Sequence, residues 1–326
     1  MARVTWVGVD LAKASFVAAR RQQGKCITEE FSNDPAGLAL FGAWLPRRSR
    51  VCVVFEPTGP YGRRLEAWLG PRWPRMSYVL ANPRRVRNFA RAAACASKTD
   101  VIDARRLLEF AEAFQPPARQ RPTPITLELR ALWRHQLELR KLLDGLRDRR
   151  QKAQVDPYIP AALVEGLGEL ADRLAAELAK IQTQAFALAR TERSLRPRFE
   201  LLVSIPGVGS LTALALLAEY GDQLAHASPR QLTRYAGLDP VLRQSGSSVR
   251  GKTRISKQGS SRLRKALYMA ALVGVRWNPV LRSFYERRLR KGLTPKPALI
   301  AAMRKLLHIC YGVLKNDQPF VAVATP

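Results

Sequence analysis

Residues 4–31 read VTWVGVDLAKASFVAARRQQGKCITEEF. Three β-biased runs follow one another here, at 4–9, 15–20 and 26–31, and residues 22–25, with Gly24, read as the hairpin turn between the second and third. The first run is short and apolar and ends in Asp10. A carboxylate at the end of a strand puts a charge at the edge of a sheet, where ligands bind.

Downstream, residues 35–45 read as a helix. Residues 51–55, VCVVF, are the continuous apolar run of a buried strand and stop at Glu56. Residues 61–69 have helical spacing and 77–81 form a further strand. Asn82-Pro83 then opens a basic helix whose Arg84, Arg85 and Arg87 are candidate nucleic-acid contacts, and a longer helix runs from about Asp100 to Phe114. The order β-β-β-α-β-α-β-α-α predicts an α/β N-terminal domain of ribonuclease H-like fold over residues 1–120. Pro116, Pro117, Pro122 and Pro124 read as a linker. Over 127–150 and again over 161–190, leucines recur at helical spacing amid Arg and Glu, with breaks at Asp156-Pro157 and Ile159-Pro160. Residues 121–195 are therefore expected to form a helical hairpin or coiled coil, and either dimerisation or a scaffold arm fits it. From 196 to 326 the chain is Gly-punctuated, basic and expected to be all-α.

The chain has 326 residues, with 55 Lys and Arg against 26 Asp and Glu, a net charge of +29. A compact body with that charge repels itself unless a polyanion neutralises it, and nucleic acid is the usual partner. Cys26, Cys52, Cys95 and Cys310 form no CxxC pair, which argues against a zinc site or a disulfide framework and suits a reducing cytoplasm. The N-terminus reads as a strand and not as a signal peptide, and no apolar run reaches the ~18 residues of a membrane span.

Against this basic background four acids stand out. Asp10 and Glu56 end strands, and Asp100 and Asp103 lie three apart at the start of a helix, where they share a face. In a ribonuclease H-like arrangement all four converge. Such a cluster repels and calls for cations, and two Mg²⁺ ions are the expected cofactors, clamping an in-line phosphoryl displacement. Taken singly, each acid also has a structural reading: Asp10 as a turn residue, Glu56 as loop chemistry, Asp100 as a helix cap and Asp103 as a partner of the helix dipole.

In the C-terminal third, PGVG at 206–209 lies between two apolar helical runs and resembles a helix-hairpin-helix, in which Gly207 and Gly209 let backbone amides approach a phosphate. A Gly-rich loop follows with Ser245, Ser247 and Ser248 beside Arg250, Lys252, Arg254 and Lys257. It suits phosphate binding, and any one of the three serines is a candidate nucleophile. His135, His226 and His308 are the only histidines, and none is close in sequence to act as base. A serine nucleophile would therefore need the N-terminal metal site, within one chain or between chains.

The strings VGVDLAK (7–13), VVFEPTGPY (53–61), SKTDVIDARRL (97–107), SIPGVGSLTA (204–213), YAGLDP (235–240) and QSGSSVRGKTRISKQGSSRLRKALYMAA (244–271) occur in that order. Together they resemble the insertion-sequence transposases of the DEDD class, whose N-terminal domain is similar to the junction resolvase RuvC. The resemblance covers nearly the whole chain. It implies that Asp10, Glu56, Asp100 and Asp103 are the family's four acids and that Ser245 is its catalytic serine. It implies a DNA recombinase that works through a covalent serine–DNA intermediate, guided by a bridge RNA that pairs with donor and target DNA. It further implies a tetramer, a dimer of dimers, in which the metal site of one chain meets the serine of another. A bacterial cytoplasmic, nucleoid-associated location follows, with no membrane partner. The alternative is a RuvC-like metal-dependent endonuclease that uses water as its nucleophile.

Overall fold

The computed structural model describes residues 4–57, 59–72, 75–92, 99–119, 121–221, 223–245 and 249–322, apart from the side chains of 225–226 and 242–253. The chain divides into two compact units, Met1–Arg121 and Pro122–Pro326.

The first unit is a five-stranded sheet of order β3-β2-β1-β4-β5. Strands β1 (Val4–Leu11), β2 (Ser15–Gln22) and β3 (Lys25–Ser32) form an antiparallel meander, and β4 (Arg50–Phe55) and β5 (Met76–Leu80) add in parallel beside β1. Helices α1 (Pro35–Trp44) and α2 (Pro60–Leu69) cover one face, packing Leu38, Phe41, Leu65 and Leu69 on Val7, Val9, Val53 and Phe55. Helices α3 (Pro83–Ala92) and α4 (Asp100–Phe114) lie on the other, where Val86, Leu107 and Phe110 meet Cys52, Val54 and Val79. With both faces covered, the central strands alternate between two apolar layers, which is why β4 is apolar at every position after Arg50.

The second unit opens with two long helices, α5 (Pro124–Val155) and α6 (Ala161–Thr191), paired through Leu139, Leu143, Ala171 and Leu178. Pro124, expected in a linker, instead begins α5: Thr123 caps the helix, and proline fits the first turn because its missing N–H has no intrahelical partner there. Helices α7 (Arg196–Val203), α8 (Ser210–Tyr220), α9 (Gln223–His226), α10 (Pro229–Ala236), α11 (Ser261–Trp277), α12 (Pro279–Arg290) and α13 (Pro295–Asn316) share one core. By length and composition alone α13 could cross a membrane, but Leu299, Met303, Leu306, Leu307 and Cys310 are buried in that core.

The expectation of an all-α C-terminal domain is corrected. Residues read as a Gly-rich loop form an antiparallel hairpin of β6 (Pro240–Ser245) and β7 (Val249–Ile255). The second strand, VRGKTRI, does alternate, with Val249, Gly251, Thr253 and Ile255 between Arg250, Lys252 and Arg254, but the glycines and serines around it favoured a loop reading.

Candidate active site

Strands β1 and β4 run parallel in a register that ends at Val9 opposite Phe55. The next residues are Asp10, still within β1, and Glu56, just past the end of β4, so the two acids stand level by register, each following the last paired residue. Val7, Val9, Leu11, Val53 and Phe55 face α1 and α2. By alternation Asp10 therefore projects to the opposite face, toward α4, and Glu56 leaves the end of the neighbouring strand beside it.

The polarity of α4 follows from three contacts. Arg21, next to the Arg20 that stands opposite Val7 at the far end of the β1–β2 register, pairs with Glu112 at 3.2 Å. Further along β1, Gly8 lies against the α4 backbone, and a Cβ there would stand 2.2 Å from Ala104 O and 2.4 Å from Leu108 N. The helix thus runs opposite to β1, and its first turn comes to the edge that carries Asp10 and Glu56. Asp100 and Asp103 occupy that turn. The cap is not an aspartate: Thr99 Oγ1 accepts from Ile102 N at 3.3 Å. Asp100 is exposed, whereas half-buried Asp103 accepts a hydrogen bond from Arg106 at 2.9 Å. The Arg106 Nε is itself buried. Arg106 was not anticipated as part of this edge, although the i, i+3 spacing of acid and arginine in DARR was a readable signal. Among the described residues no three His, Cys, Asp or Glu side chains are gathered closely enough to hold one ion. The fold therefore brings Asp10 and Glu56 together and α4's first turn to the same edge, without drawing three acids into a ligand cluster.

In the second unit Ser245 closes β6 opposite Val249. Ser247 and Ser248 lie outside the described residues, and Ser245, Arg250 and Lys252 are placed by their backbones alone. The root of the hairpin is anchored. Ser256, Lys257 and Ser260 donate backbone N–H bonds to the carbonyls of Asp239, Gly237 and Tyr235. Arg264 donates to Ala236 O at 3.0 Å and Gly259 O at 2.9 Å. Arg254 and Lys257 are exposed at this root.

The two glycines of the PGVG turn differ. Gly207, at φ +99°, is packed so tightly on α11 that a Cβ would lie 2.6 Å from Gly274 Cα, so its freedom serves packing. Gly209 precedes α8 with open space around it and remains available to a ligand. One chemically loaded residue escaped the sequence reading. Glu219, buried on α8, accepts paired bonds from Arg134 at 3.1 and 3.2 Å and from Arg262 at 2.6 and 3.4 Å. Burial raises its pKa, but the bonds from Arg262 and Arg134 outweigh burial and hold the carboxyl below its ordinary range. Its signal was an acid inside the apolar run LALLAEY. His308 is occupied by Thr233, 3.0 Å away, and burial lowers its pKa.

Comparison with known proteins matches residues 7–154 to the DEDD transposase domain of the IS110 type and residues 199–286 to the transposase IS116/IS110/IS902 family. The pilin gene-inverting proteins of Moraxella bovis and Moraxella lacunata are each 29% identical over 321 residues, covering 97% of this chain and 97% of theirs. The insertion element IS110 protein of Streptomyces coelicolor is 30% identical over 160 residues, 47% of this chain and 39% of that one. The matched domains and the relatives define a DNA-recombining enzyme. The chain belongs to the IS110/IS116/IS902 family of insertion-sequence transposases.

Proposed function

We propose that this transposase cuts and rejoins DNA through a covalent bond between Ser245 and the DNA backbone, guided by a bridge RNA. The observation that carries the strand-cutting half is the pair Asp10 and Glu56, level on adjacent parallel strands, with the first turn of α4 over the same edge. We read this as a RuvC-like, ribonuclease H-like catalytic domain over 1–120, followed by a coiled-coil dimerisation arm over 121–195 and a transposase domain over 196–326.

The four acids Asp10, Glu56, Asp100 and Asp103 offer carboxylate oxygens, the donors preferred by a hard divalent cation. Asp10, Glu56, Asp100 and Asp103 would hold one or two Mg²⁺ ions, which when bound would activate the attacking oxygen and stabilise the leaving one. Arg106 steadies Asp103. The Ser245 oxygen forms a bond to phosphorus while a strand P–O bond breaks, and the departing oxygen takes the proton. A strand hydroxyl then displaces Ser245, so each phosphodiester broken is remade without an external energy source. Ser245 and the acids belong to different units of the chain. The tetramer implied by the family resemblance would bring the serine of one chain to the acids of another, in the bacterial cytoplasm.

One observation favours a water-using nuclease instead: all four acids fall inside the single matched DEDD region. Recombination assays on element-junction DNA separate the two readings. Ser245→Ala is expected to bind DNA and RNA as wild type does and to lose strand transfer. Mixing it with Asp10→Ala is expected to restore part of the activity. A Ser245→Ala protein that recombines overturns the serine role.

A further inference from the structure

Helix α3 carries Arg84, Arg85, Arg87 and Arg91, all exposed, and no acid. Their settings differ. The Arg85 guanidinium lies 5.6 Å from the ring centres of both Phe110 and Phe114 on α4. Phe89 meets the same rings edge-on at 5.9 and 5.8 Å. Arg84, Arg87 and Arg91, at i, i+3 and i+7, share one face of the helix. That face turns away from Val86 and Ala90, which are buried.

An exposed basic helix is often merely solvated, and elsewhere this chain shows what that looks like. On α6, Arg173 pairs with Glu169 and Lys180 with Glu177. On α3 three like charges are stacked with no acid on the helix, an arrangement that repels in isolation. Three acids of this unit pair with arginines on other elements or within α4: Glu112 with Arg21, Asp103 with Arg106 and Glu66 with Arg119. The location is also specific. Ala81, just before α3, donates its N–H to Phe55 O at 2.8 Å, so the chain enters the helix from the strand end beside Glu56.

We propose that Arg84, Arg87 and Arg91 form a phosphate-binding face for the backbone of the duplex DNA that the carboxylate edge acts on, and that Arg85 braces this helix against α4. This rests on the strand-cutting reading. The face is about 10 Å long at 1.5 Å per residue. One DNA strand advances ~3.4 Å per phosphate, so it can follow about three.

The test is salt-dependent binding of the full chain to a short duplex without divalent ions, beside an RNA of equal length. In Arg84→Gln/Arg87→Gln/Arg91→Gln the slope of log affinity against log salt on DNA is expected to fall by roughly 2 to 3, at ~0.9 per phosphate contact. Each single variant is expected to lose about one such step, which covers a triple variant that fails to fold. Arg85→Gln is expected to keep the slope and lower the melting temperature. An unchanged slope in the single variants, or a loss on RNA alone, overturns the proposal. Asp10→Asn/Asp103→Asn separates the two ideas: if it still cuts DNA, the strand-cutting reading fails, whereas the slopes report on α3 independently.

Discussion

At the residue scale, two acids are held by arginines, Asp103 by Arg106 and Glu219 by Arg134 and Arg262. Asp10 and Glu56 could be read because an apolar strand run announces its own end, and each acid is the first polar residue after one. Arg106 and Glu219 left only weak signals, the i, i+3 spacing in DARR and an acid within LALLAEY, because their meaning lies in partners: Arg106 pairs with Asp103, and Glu219 with arginines 85 and 43 positions away. Two predictions belong here. Arg106→Leu leaves Asp103 unsupported and is expected to lower strand-transfer rate by roughly 10–100-fold, the usual cost of losing a residue that orients a ligand. Rates at saturating DNA check it, with unchanged DNA affinity. Glu219→Gln leaves two arginines facing a neutral group and is expected to cost about 3–5 kcal/mol at neutral pH. Because the folded Glu219 pKa is depressed, its contribution is complete above the unfolded value near ~4.3 and is lost as pH falls through the folded one. Denaturant melts across that window should therefore show wild type losing its advantage over Glu219→Gln as the solution is acidified.

At the scale of elements, the alternation of the first unit was readable because its strands are covered on both faces, so apolar runs and helical spacing mark them plainly. The β6–β7 hairpin was not, since its two-residue alternation of basic and small or apolar residues has no continuous apolar run and is set among glycines and serines that signal a loop. The PGVG turn was recognised, but the use of Gly207 was visible only once α11 was seen against it. The close approach of α4 to Gly8 is what brings Asp103 to the edge of Asp10. Gly8→Ala, overpacking this contact, is expected to cost about 1–3 kcal/mol and to reduce cleavage further than that stability loss accounts for. Chemical denaturation and activity on the same preparation check it. If cleavage falls only in proportion to folded protein, α4 does not position the site. Gly207→Ala is expected to lower stability by about 1–3 kcal/mol while cleavage per folded molecule holds.

At the scale of the whole molecule, the net charge of +29 was the broadest signal and the least specific, because it names a polyanion and not a reaction. The proposed chemistry needs two regions that the sequence separates by more than 140 residues and that fold into different compact units. No periodicity or spacing links Asp103 to Ser245, and only the family resemblance connected them. Both regions are matched, the acids in 7–154 and the serine hairpin in 199–286.

The most direct measurement joins both. Purified protein with Mg²⁺, its co-purifying RNA and end-labelled element-junction DNA is denatured, and protein-linked label is digested and mapped. A denaturation-resistant adduct on Ser245, absent in Asp10→Ala and in Ser245→Ala, is the predicted result. Cleaved DNA with free ends and no label on the protein would contradict the account and establish water as the nucleophile.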